Sequence, residues 1–136
     1  MAATLRLEIV TPEATVYSED VHMVTLPAIG GQIGIFPRHV PVLTRIVPGE
    51  LIVRKNGNTE RLAIGGGIVE ITGERVAIAT DMAIAVQDID EARVEEARRR
   101  AEARLQDKIS DEEVATVNAS LARSLAQLRV KRKQRG

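Results

Sequence analysis

Two glycine clusters, two histidines and a run of cations are the residues of this 136-residue chain whose types and spacing could do chemistry. The first cluster reads GGQIGIFPRHVP over 30–41, with Gly30, Gly31 and Gly34 ahead of Arg38 and His39. Glycines at that density wrap a phosphate when a lysine and a serine or threonine follow and a helix N-terminus receives the anion. Here Gly34 is followed by Ile35, Phe36 and Pro37, so neither the cation nor the helix is in place. A histidine serves as a base when a carboxylate orients it. His39 has no such neighbour in sequence, and His22 lies in an alternating strand pattern. The stretch therefore reads as a strand bent at its glycines and ended by prolines. Gly65, Gly66 and Gly67 read in the same way, as a bulge or a close backbone approach.

The carboxylates are scattered rather than gathered with histidine at ligand spacing, so no metal site is expected. The absence of cysteine excludes disulfides, thiolate metal sites and a cysteine nucleophile. The last eight residues, RVKRKQRG, hold Arg129, Lys131, Arg132, Lys133 and Arg135. A cationic run can grip nucleic acid. The stacking platforms that help hold single strands are missing, because Tyr17 and Phe36 are the only aromatics. Cations at a helix C-terminus also complement the helix dipole. No nucleic-acid partner is expected.

Two kinds of element must carry these residues. In TLRLEIV, Leu5, Leu7 and Ile9 alternate with Thr4, Arg6 and Glu8, the two-residue period of a strand. Further strand-like runs are VHMVTL, IGIF, VPVLTRIV, ELIVR, TERLAI, GIVEI, RVAIAT and MAIAV. Turn signals punctuate them, and Asn56-Gly57 is the strongest, since both residues tolerate the positive φ of a tight hairpin turn. About ten short strands without helical periodicity argue for an antiparallel β-sandwich or flattened barrel over residues 1–87.

The pattern changes at Asp88. DIDEARVEEARRRAEARL is built from good helix formers, with Val94, Ala97, Ala101 and Leu105 in one stripe. Asp88 and Glu91 are placed as a capping box, and Ser110 with Glu113 repeats the relation. Val114, Val117, Leu121, Leu125 and Leu128 form the second stripe. The short connection makes the helices antiparallel, so residues 88–136 read as a two-helix hairpin. Its alanine-rich contact face buries little area, which makes it the labile part of the molecule.

The formal net charge is zero but unevenly spread. Residues 1–88 carry 7 basic and 10 acidic side chains, a net of −3, and residues 89–136 carry 12 and 9, a net of +3. No apolar run approaches the roughly 20 residues of a membrane-spanning helix. The start, MAATLRLEIV, lacks a cationic segment leading into an apolar one, so no secretory or transit peptide is expected.

Taken in order, VTPEATVYSEDV, GGQIGIFPRHVPVLT, PGELIVR, GGGIVEI, QDIDEARVEEARRRAEARL and LARSLAQLRV resemble the epsilon subunit of the bacterial F-type ATP synthase, across essentially the whole chain. The resemblance implies the same two-part fold and a non-catalytic rotor component. It implies partners in the gamma subunit and the c-ring, reached through the sandwich, and in the catalytic beta and alpha subunits when the hairpin extends. Gln32 is then a ring-facing residue, with Arg38 and His39 as contacts near gamma. Two departures stand out: relatives commonly carry Glu at position 32 and Gly at position 38.

Some relatives bind regulatory ATP through an I/L-D-x-x-R-A motif; Ile89, Asp90 and Arg93 match it, and Val94 replaces the alanine. Arg123 or Arg129 of the facing helix would add a second cation. No cofactor is required. An opened segment of roughly 45 residues would reach up to ~65 Å if wholly helical. The basic end, Arg129 to Arg135, would then meet acidic loops of the catalytic head and block hydrolysis. The resemblance also implies one copy per complex, peripheral to the cytoplasmic face of the bacterial plasma membrane. A free-standing nucleotide-sensing module is the alternative.

Overall fold

The computed structural model describes residues 3–135, with side chains through Lys133. Ten strands come first: β1 (Leu5–Val10), β2 (Thr15–Val21), β3 (Met23–Ala28), β4 (Gly31–Ile35), β5 (Val42–Ile46), β6 (Gly49–Lys55), β7 (Asn58–Ile64), β8 (Gly67–Ile71), β9 (Arg75–Thr80) and β10 (Ala83–Ala85). A single 3₁₀ turn over Val86–Asp88 leads to helices α1 (Glu91–Leu105) and α2 (Asp111–Arg135). The strand order is β10-β7-β6-β3-β5-β8-β9-β1-β2, with β4 paired to β3 alone. The sheet folds back on itself. Its seam is closed by side chains, where the Tyr17 hydroxyl donates to Glu60 at 3.1 Å and Lys55 pairs with Glu19.

The alternating strands bury one face in the barrel, and β6 and β7 bury both faces where α2 packs on them. Leu5, Leu7 and Ile9 are fully inside, as are Val24, Leu26, Ile35, Leu51, Val53, Ile64, Val69, Val76 and Ile78, all in one core. Tyr17 is the one aromatic in that core. Burial first, then the charges of Glu60 and Glu19, push its phenol above the ordinary range.

Four local features differ from the sequence reading. Strand β2 had no counterpart among the expected runs, because TVYSEDV buries only Tyr17 and Val21 and carries charge elsewhere. β1 pairs β9 in parallel, with Leu7 opposite Val76, whereas every other pairing is antiparallel. This seam joins strands far apart in sequence, so no hairpin dictates its direction. The first helix begins two residues later than a box at Asp88 and Glu91 requires. Asp90 is the N-cap, accepting from the Arg93 N–H at 3.2 Å, and Asp88 closes the 3₁₀ turn. Leu125 is 40% exposed, while Ser124, Ala126, Leu128 and Val130 are buried. At 100° per residue these four span more than half the helix circumference. So α2 does not present one stripe to α1. It is wedged between α1 and the sheet, where it meets β6, β7 and the 3₁₀ turn.

The Ser110 cap is as expected: its hydroxyl accepts from the Glu113 N–H at 3.2 Å. At the expected hairpin turn, Asn56 and Gly57 have φ of 52° and 79° between β6 and β7. Gly67 marks a close approach, since a Cβ there would lie 2.0 Å from the Ala79 carbonyl oxygen on the neighbouring strand.

Arg38 holds a φ of 69°, the left-handed region that glycine favours, and its N–H donates to Gly73 O at 2.7 Å. Calorimetry should separate these two sites. Gly67→Ala should cost about 3 kcal/mol or more, because backbone must move. Arg38→Gly should be neutral or stabilising by up to about 1 kcal/mol, because relief of the left-handed penalty opposes a floppier unfolded chain.

Candidate functional site

The residues singled out in the sequence fall into three separate places. The first is a cleft of about 290 Å³ where the 3₁₀ turn, α1 and α2 meet, lined by Asp88, Asp90, Arg93, Val94, Ser124 and Gln127, among others. Asp90 and Arg93 share it because the cap that starts α1 spaces them by one helical turn. The Arg93 side chain has no hydrogen bond or ion pair among the described residues, so it is available to an anion. The Asp90 carboxylate already accepts the helix N–H through one oxygen. Gln127 is turned to Met82, with its Nε2 3.0 Å from the sulfur.

Ile89 does not line this cleft. It is 4% exposed and packs behind it with Ala63, Val86 and Val130. Arg123 pairs instead with Asp81 at 3.0 Å. Arg129 lines a different cavity.

The second place is the far end of α2. Here the cationic run is distributed over partners within the chain. Lys131 Nζ donates to the Val86 carbonyl at 3.1 Å. Arg132 bridges Glu91 at 2.9 Å and Glu95 at 2.8 Å on α1. Lys133 reaches Glu50 on β6 at 3.2 Å. The side chain of Arg135 lies outside the described residues.

Glu50 is the pivot. Its side chain is 9% exposed, and the same oxygen that meets Lys133 also meets Arg61 at 3.2 Å. Its other oxygen is buried without a partner among the described residues. Beside it lies a cavity of about 330 Å³ lined by Gln32, Glu50, Arg129, Val130 and Lys133 with apolar neighbours. Gln32 itself is exposed on β4, next to the β3–β4 turn. The end of α2 and the ring-facing candidate are therefore adjacent, which no sequence pattern indicated.

Arg98 most strongly, and Arg132 with it, hold the Glu95 carboxyl below its ordinary range despite some desolvation. A carboxylate depressed in the folded state stabilises fully above its ordinary value of 4.5, and that support is lost as pH falls through the lowered value. The tie to Arg132 therefore holds at neutral pH.

The third place is the other end of β4. His39 is half-buried, and its Nδ1 lies 2.7 Å from the Val40 carbonyl, to which it donates. Arg38 is exposed in the turn before it. Around them the sheet carries exposed apolar side chains: Phe36 at 58%, Val40 at 69%, Leu43 at 70% and Ile68 at 53%. Sequence reasoning missed this surface. The signal was present in VPVLTRIV and GIVEI, where apolar residues occupy both phases of a strand. That pattern belongs to strands with both faces covered, and in this chain the outer face is bare.

The chain was compared with known proteins. The family described as ATP synthase, Delta/Epsilon chain, beta-sandwich domain matches residues 4–86. The family described as ATP synthase, Delta/Epsilon chain, long alpha-helix domain matches residues 87–132. The ATP synthase epsilon chain of Herpetosiphon aurantiacus is 44% identical over 131 residues, covering 96% of each chain. That of Halorhodospira halophila is 40% identical over 129 residues, covering 93% of this chain and 92% of its own. Among solved structures, a chain of the Euglena gracilis mitochondrial ATP synthase (OSCP/F1/c-ring) superposes with a TM-score of 0.68. It is 20% identical, and the match covers 98% of this chain and 80% of that one, a likeness of fold.

The buried carboxylate gives a direct test of what fixes α2. Lys133→Met keeps the aliphatic stem but leaves Glu50 with Arg61 alone, and should cost about 1–3 kcal/mol of local stability. Hydrogen exchange should show faster opening of the last turns of α2, with strands β1, β8 and β9 unchanged.

Proposed function

This chain belongs to the family of ATP synthase epsilon chains, and from that premise we propose that it is a non-catalytic rotor subunit whose C-terminal helices restrain ATP hydrolysis. In this reading the barrel docks on gamma and the c-ring and helps couple ring rotation to synthesis in the catalytic head. No described helix is long and apolar enough to cross a membrane. We place the subunit peripherally, on the cytoplasmic face of a bacterial plasma membrane, one copy per complex.

The observation that carries the regulatory part is the distribution of the basic run. Of the run, Lys131, Arg132 and Lys133 each hold a partner within the chain, on the 3₁₀ turn, on α1 and on the barrel. Cations spent internally in this way cannot be offered to an acidic loop elsewhere. Folded and extended hairpins are thus competing states that use the same side chains, and a small free-energy difference sets their populations. Apart from the Lys133–Glu50 contact, the individual ties are surface or half-buried, and contribute little each. That suits a segment that must open.

Docking is supported by the apolar surface around Val40, Leu43 and Ile68, beside His39. Gln32, at the opposite end of β4, would face the ring with an amide where relatives commonly carry a carboxylate, so it would offer a hydrogen bond rather than a charge pair. Arg38, where relatives commonly carry glycine, holds a left-handed conformation that glycine favours.

Regulatory nucleotide is the finer part of the reading. Asp90 and Arg93 border the cleft between the helices, so a bound nucleotide would bridge α1 and α2. It would stabilise the folded hairpin by RT ln(1 + [L]/Kd). Asp88 and Asp90 oppose phosphate there, so the adenosine end would lie against them and the phosphates towards Arg93.

Removing residues 89–136 from the assembled complex should leave assembly intact and raise basal ATP hydrolysis several-fold. Unchanged hydrolysis by the truncated complex would refute the restraint. Failure of the full chain to co-purify with an ATPase in mild detergent would favour a free-standing nucleotide-sensing module.

A further inference from the structure

A cavity of about 550 Å³ opens on the outer face of the barrel, lined by Ala3, His22, Met23, Phe36, Pro37, Arg38 and Arg54. Its size falls in the range of small-molecule sites, roughly 300–1,000 Å³. Its charge sets it apart. The four other cavities described each include a carboxylate in their lining: Glu50 in one, Asp88 and Asp90 in the next, Glu8 and Glu70 in a third, Glu60 in the last. This one has two guanidinium groups and an imidazole, and no acid.

The two arginines are uncommitted. Arg6, Arg61 and Arg75 on the same barrel have ion-pair partners. Arg38 and Arg54 are exposed, and among the described residues neither side chain has a hydrogen bond or ion pair. Their backbones are fixed from several sides. Arg54 is opposite Met23 in the β3–β6 ladder, and its carbonyl accepts from the His22 N–H at 2.8 Å. Arg38 is held at φ 69° by its bond to Gly73 O. His22 accepts the Asn56 N–H through Nδ1 at 3.2 Å, which leaves Nε2 as its free, protonated nitrogen. The rest of the wall, Met23, Phe36 and Pro37, is apolar.

We propose that this cavity binds a phosphate-bearing molecule, with the phosphoryl group between Arg38 and Arg54 and an apolar portion on Met23, Phe36 and Pro37. Guanidinium groups match phosphate oxygens with paired, charge-assisted hydrogen bonds. The Nε2–H of His22 adds a donor. The site is separate from the interhelical cleft and does not depend on the state of the hairpin. The phosphate comes either from a free phosphorylated compound or from the headgroup of an anionic phospholipid.

Phe36 is the only phenylalanine of the chain, so 4-fluorophenylalanine gives a single ¹⁹F resonance at the site. The full-length chain is titrated with pyrophosphate, with phosphatidylglycerol vesicles and, as a neutral control, with phosphatidylcholine vesicles. The expected result is a saturable ¹⁹F shift that weakens with added salt. It should weaken about tenfold in Arg54→Gln and in Arg38→Gly, the loss of one charged hydrogen-bonding partner. Arg38→Gly is chosen because its backbone favours that turn, so the variant stays folded. Arg6→Gln, outside the cavity, should bind like the parent. A shift with pyrophosphate assigns a free phosphate compound, and a shift with phosphatidylglycerol alone assigns the lipid headgroup. No shift with either, or binding indifferent to both arginine substitutions, overturns the proposal.

Discussion

One buried carboxylate links the two halves of this molecule. Glu50 belongs to a barrel strand, yet it is covered by the last turns of a helix that begins 61 residues later in the chain. Desolvating a carboxylate costs several kcal/mol unless cations and hydrogen bonds offset it. Arg61 offsets it from the barrel side and Lys133 from the helix side, both through one oxygen. The second oxygen gains nothing from the protein among the described residues. The contact is thus strong enough to choose where α2 rests and incomplete enough to be released. Every other tie of the basic run is arranged around it. Lys131 and Arg132 grip the 3₁₀ turn and α1, while Val130 enters the small apolar cluster of Ala63, Val86 and Ile89.

The barrel was largely legible from alternation, because strands such as β1 and β9 keep their buried residues to one phase. Leu5, Leu7 and Ile9 needed no tertiary information, and Asn56-Gly57 announced its own turn. Strand β2 was hidden by its chemistry. A strand at the end of the sheet order that turns Ser18 and Asp20 outward and spends Glu19 on the inner phase, paired with Lys55, has few apolar residues to advertise it. The helix start was ambiguous because Asp88 and Asp90 both precede a glutamate-rich turn, and only the 3₁₀ turn decides between them.

The site was legible in composition and not in geometry. A cationic end was plain in RVKRKQRG, but its partners lie 41 and 83 residues away, at Glu91 and Glu50. No local period encodes such pairs. The same limit applies to α2, where Leu125 fits a stripe drawn on one helix face yet stands in solvent. A helix wedged between two surfaces has a broad buried arc, and periodicity cannot say which edge of it is left bare. Arg38 is a further case. Position 38 departs from the glycine common in relatives, and no sequence pattern showed that the arginine there would hold a left-handed conformation.

The scarcity of aromatic residues leaves the molecule with a single useful chromophore. There is no tryptophan, and Tyr17 is the one tyrosine. It is 9% exposed at the seam where β2 meets β6, with its hydroxyl on Glu60 of β7. Its near-ultraviolet absorbance and emission therefore track closure of the barrel and are blind to the helices, which carry no aromatic side chain at all. Far-ultraviolet ellipticity near 222 nm, by contrast, is dominated by α1 and α2. Two unlabelled optical signals thus belong to two different parts of the chain, and any change that moves one without the other identifies which part has melted.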